Sequence, residues 1–142
     1  MISTKMIGGL AGALTVTTLN ETIRQFFPKA PQLQLLGIRA VRSLYQKTDQ
    51  LDTPDRSTQY DIAMGGDLMA NGTYYAMAGN NLTAGLLLGT AAGLGGIYLP
   101  GPMGLGKAPT ARTNTTKALT LAYYVAGGLV AAAVNRAISK RW

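Results

Sequence analysis

Residues 82–100 read LTAGLLLGTAAGLGGIYLP, and no charged side chain interrupts them. Gly85, Gly89 and Gly93 recur at every fourth position, so on a helix they share one face. In a water-soluble helix each interior glycine costs about 1 kcal/mol relative to alanine. Within a bilayer the same spacing is useful, because helices there associate by close packing and small residues let two backbones approach. The run therefore predicts a membrane helix packed tightly on another helix.

Composition agrees with that setting and removes much chemistry. The 142-residue chain fits one domain and has no His and no Cys. Disulfides, thiol catalysis, Ser-His triads and the usual zinc sites are excluded. We expect no metal, no cofactor, no catalytic residues and no enzymatic activity. Charged residues make up 13% of the chain, against roughly 25% in soluble proteins. Mean hydropathy is only +0.13, because polar residues gather in the segments 20–61 and 100–117 and leave the rest apolar or small. The net charge of +7 is carried by basic residues that flank apolar stretches and are not interleaved with stacking aromatics. They suit anionic lipid head groups and the positive-inside rule better than nucleic acid.

Four stretches are candidates to cross a membrane, which takes about 20 apolar residues. They lie near residues 6–27, 62–79, 82–99 and 118–138. The first also reads as the apolar core of a signal peptide, but no small-residue cleavage site is followed by a convincing mature start. Residues 32–47, QLQLLGIRAVRSLYQK, form an amphipathic helix. Its apolar face (Leu33, Leu36, Gly37, Ala40, Val41, Leu44) suits a helix lying in the membrane interface, or a small helix packed on its own loop. Residues 48–61 read as a polar linker and 100–117 as an irregular Gly/Pro/Thr-rich loop. The expected fold is thus all-α and polytopic, a single membrane domain over residues 1–142.

The two halves share a layout that hints at a 2+2 repeat: a Gly-rich helix, Lys-Ala-Pro (29–31 and 107–109), then a helix with paired tyrosines (Tyr74-Tyr75 and Tyr123-Tyr124). Basic residues divide nine to four between the two sides of a four-span arrangement. By the positive-inside rule both termini face away from the cytoplasm.

Small residues at four-residue steps mark a packing face on each span: Gly8 and Gly12, Gly72 and Ala76, Gly85, Gly89 and Gly93, Gly127 and Ala131. That is more close-packing surface than one intramolecular seam needs. It leads to the first expectation, a packing or accessory role as a homo-oligomer or a membrane-complex subunit. The second expectation rests on charge. Glu21 and Arg24 are spaced i, i+3, and Asp67 and Asn71 lie one turn apart inside the second span. Charge at membrane depth is costly and usually marks function. A cluster in which Arg24 pairs with Asp67, with Glu21 and Asn71 nearby, would suit a small transporter or channel. The plain alternative is a structural ion pair, or Asp67 capping its helix at the interface. Gly101–Lys107 matches the start of a phosphate-binding loop, but Ala108 stands where Ser or Thr is needed and no nucleotide domain fits the length.

The pattern GGLAGALTVTTLNETIRQ, GGDLMANGTYYAMAG and YYVAGGLVAAAVNR resembles small uncharacterised multi-pass membrane proteins of Bacteroidota bacteria. The resemblance implies a bacterial inner-membrane location and brings no activity with it.

Overall fold

A computed structural model describes residues 4–47, 52 and 54–141, and the described residues form five helices and no strand. They are α1 (Thr4–Ile23), α2 (Leu33–Gln46), α3 (Arg56–Ala76), α4 (Leu82–Tyr98) and α5 (Asn114–Arg141). Linker positions 48–51 and 53, and Trp142, lie outside the described residues.

The helix boundaries follow from local hydrogen bonding. α3 starts six residues earlier than the apolar pattern predicts, because the Asp55 side chain accepts the Thr58 N–H at 2.9 Å and caps the first turn. Part of the expected polar linker is therefore helix. α5 likewise begins before residue 118, with Thr113 Oγ1 accepting the Thr116 N–H at 3.0 Å. Asn81 caps α4 through the Ala84 N–H. α1 stops at Ile23, short of the expected residue 27, and unwinds through a turn into Pro28. At α2 the local Gln32 side chain makes no cap; the Leu33 N–H is accepted at 3.0 Å by Asn20 from the end of α1.

The four long helices run up, down, up and down. α1 lies between α3 and α5, and α5 lies between α1 and α4, while α3 and α4 touch only sparsely. The seams are backbone against backbone. A Cβ at Gly9 would strike the Gly72 carbonyl oxygen; one at Gly12 would come within 2.5 Å of the Gly127 oxygen. On the other side, Gly85 abuts Gly128 and Gly89 abuts Tyr124.

At one end, α2 and the loop 99–113 form a cap. Arg39 donates to the Leu105 and Lys107 carbonyls at 3.2 and 2.7 Å. Arg112 donates to the Pro28 and Ala30 carbonyls at 3.2 and 2.6 Å. The two Lys-Ala-Pro segments meet here, where the Gln32 N–H donates to the Pro109 oxygen at 3.3 Å.

Among the described helices only α5, over Asn114–Ser139, is both long and apolar enough to cross a membrane. α4 is apolar but has 17 residues, about 26 Å at 1.5 Å per residue, against a hydrocarbon core of about 30 Å. α1 and α3 have the length, but Thr, Asn and charged side chains dilute them.

Candidate functional site

α2 lies across α3 with Gly37 as its point of closest approach: a Cβ there would sit 2.8 Å from the Ala63 Cβ and 3.4 Å from Asp67 Oδ2. Beneath it is a cavity of about 220 Å³. α1 contributes Val16, Thr17, Asn20 and Glu21; α2 contributes Leu33, Gln34, Leu36, Gly37 and Ala40; α3 contributes Met64, Asp67 and Asn71; α5 contributes Tyr124. The spacing of Met64, Asp67 and Asn71, i, i+3, i+7, puts them on one face of α3. The apolar face of α2 roofs this chamber with Leu36, Gly37 and Ala40, buries Ile38 and Val41 beside it, and leaves Leu44 exposed.

The two acids of the chamber differ in their partners. Glu21 Oε2 accepts from Arg24 Nε at 3.0 Å and Nη2 at 2.7 Å, and Glu21 Oε1 accepts the Tyr60 hydroxyl at 2.8 Å. Asp67 forms no ion pair among the described residues, and no Lys or Arg lines the chamber. The expected Arg24–Asp67 pair is not formed. The i, i+3 spacing keeps Arg24 on Glu21, and Arg24 faces a separate cleft with Ile38, Arg56 and Tyr60. Glu21, Asp67 and Asn71 share the chamber; Arg24 does not. Asp67 lies twelve residues past the α3 N-cap, so it does not cap that helix. Among the described residues, no group of three or more acidic side chains is placed to hold a metal ion.

Asn20 sets the chamber's corner. It is 3% exposed, accepts the Leu33 N–H and donates to Gln34 Oε1 at 2.9 Å. In sequence it was one polar residue ending an apolar helix, with nothing to show that it would cap the next one. Thr17 was equally silent; Gly37 was readable only as part of the apolar face of α2, and Tyr124 only as one of four tyrosines able to line a pore or pack between helices.

The small-residue positions lie between helices of this one chain. Gly8 packs on Asn135 and Ala131, Gly12 on Gly127 and Ala131, Gly72 on Leu10, and Gly93 on Leu121. Ala76 is buried against Gly9, and Gly127 meets Val16 and the Tyr75 hydroxyl. Asn135, also missed from sequence, is 2% exposed and donates to the Gly79 carbonyl at 3.0 Å. The tyrosines bridge helices: Tyr75 donates to the Tyr124 carbonyl at 2.8 Å and Tyr74 to the Leu88 carbonyl at 2.6 Å.

Comparison with protein-family models, with curated proteins and with solved structures gives no match.

Proposed function

We propose that the chain is a small multi-pass protein of the bacterial inner membrane that takes a cationic ligand into the chamber under α2, the chemistry of a small transporter. The observation that carries this reading is Asp67, a carboxylate lining a half-open cavity with no cation beside it among the described residues. An ionisable group at membrane depth is expensive and is kept where it meets protein, water or a ligand.

The membrane setting is supported by the way α4 and α1 are turned. Glycines point inward and large apolar side chains point out: Leu87 is 64% exposed and Leu14 52%. In water such faces would invite association; in lipid they are ordinary. Less than half of the apolar stretch of α5 is buried, unlike the core helix of a soluble protein. In this reading α1, α3, α4 and α5 all cross, helped by polar faces that turn toward one another. The cap then lies on the cytoplasmic side with nine of the basic residues. An accessory role in a larger complex would have to use other faces than the glycine seams, which helices of the same chain occupy.

The test is binding of methylammonium to the purified protein in a nonionic detergent, followed by uptake in proteoliposomes. Asp67→Asn should weaken binding about 10- to 100-fold, the size of one charge-assisted contact, and abolish uptake while the helical circular dichroism is unchanged. Binding and uptake by Asp67→Asn equal to those of the parent would overturn the reading.

A further inference from the structure

The sparse contact between α3 and α4 leaves a groove of about 440 Å³ open to the outside of the bundle. Its walls are small and apolar: Ala70 from α3, and Ala91, Ala92, Gly95 and Gly96 from α4, with Tyr74 crossing it to reach the Leu88 carbonyl. Asn71 and Tyr124 line this groove and also line the Asp67 chamber. The two spaces are therefore neighbours, one apolar and open sideways, the other less open and carrying the Asp67 carboxylate with no ion-pair partner among the described residues.

We infer that groove and chamber form one site for a single-chain cationic amphiphile drawn from the bilayer, its ammonium head at Asp67 and its alkyl chain between α3 and α4. This inference rests on the chamber reading above and adds the ligand's shape and its direction of entry. The charge selects the head: Asp67 calls for a positive group, and the Thr17, Gln34 and Asn71 side chains around it can accept N–H donors. The groove selects the tail, since its lining is mostly apolar and an alkyl chain can lie along the Ala and Gly faces beside Leu99. Asn71 and Tyr124 stand at the junction, where a head group would pass from lipid into the chamber.

The experiment is calorimetric titration of the purified protein in a nonionic detergent with methylammonium and with hexylammonium. Hexylammonium should bind at least ~10-fold more tightly, through the methylenes it places in the groove. Ala92→Leu and, separately, Ala70→Leu narrow the groove from opposite walls. Each should erase the advantage of the longer chain and leave methylammonium binding as in the parent. Equal affinity for the two amines, or a chain-length advantage that survives both groove variants, overturns the amphiphile inference while the chamber reading stands. Failure of both amines to bind parent protein and Asp67→Asn alike overturns both.

Discussion

Asp67 and Glu21 are both acids on the wall of one cavity, and their surroundings give them different work. Glu21 is neutralised by Arg24 and held by Tyr60, so it builds the corner where α1 meets α3. Tyr60→Phe deletes the hydroxyl that Glu21 Oε1 accepts at 2.8 Å and should lower thermal stability by about 0.5–1.5 kcal/mol; an unchanged melting temperature would show that the corner does not depend on it. Gly37 supplies a second residue-scale prediction. Gly37→Leu puts a side chain into Ala63 and toward Asp67, and should abolish methylammonium binding and lower stability by about 1–3 kcal/mol through overpacking. Retained binding would show that the chamber is not the ligand's place.

Between helices, the glycine pairs carry the architecture. Successive residues on a helix point about 100° apart, so a Gly-Gly dipeptide offers two small faces at once. Gly8 meets α5 and Gly9 meets α3; Gly127 meets α1 and Gly128 meets α4. These pairs mark the two helices that have a close neighbour on each side. Gly65-Gly66 of α3 has the same sequence signature but nothing within 4 Å of either position. Gly128→Leu should therefore detach α4 from α5, seen as loss of thermal stability of about 1–3 kcal/mol or more, whereas Gly65→Ala should stabilise by about 0.4–1 kcal/mol. A destabilising Gly65→Ala would mean that this face is in use. The apolar runs and four-residue steps made the helices and their small faces readable. The dipeptides alone could not say which pairs were occupied, because that depends on which helix lies opposite. The starts of α3 and α5 were written in Asp55-x-x-Thr58 and Thr113-x-x-Thr116, short capping signals that the larger change in polarity masked.

Across the whole molecule, reporter fusions at residues 50, 80, 110 and 142 would test the four-span reading. Positions 50 and 110 should report cytoplasmic and positions 80 and 142 the opposite side. Positions 50, 80 and 110 on one side with 142 opposite would reduce the membrane part to α5, and all four on one side would mean that no helix crosses. The repeated layout in the sequence has a spatial counterpart at the cap, where both Lys-Ala-Pro turns lie together. Each half packs closely within itself, but the halves do not meet symmetrically, since α1 lies close on α5 while α3 and α4 stand apart. The candidate site was half legible for the same reason. Asp67, Asn71 and Glu21 could be picked out as polar residues in apolar surroundings, but their grouping depends on α2 folding back over them. Composition made Arg24 the obvious partner for Asp67; helix geometry gave it to Glu21.

The position of α5 also bears on how such a chain is built. The glycine faces of α1 and α4 both need α5, and so does the far wall of the chamber, where Tyr124 stands. α5 follows the other described helices in chain order. Until it docks, α1 and α3 can pair, but Gly8 has no neighbour, Gly12 lacks Gly127 and Ala131, Asp67 is incompletely walled, and Arg39 waits for the carbonyls of a loop not yet placed. A nascent chain halted before α5 would therefore show quality-control proteases an unfinished bundle with a bare acid on its side.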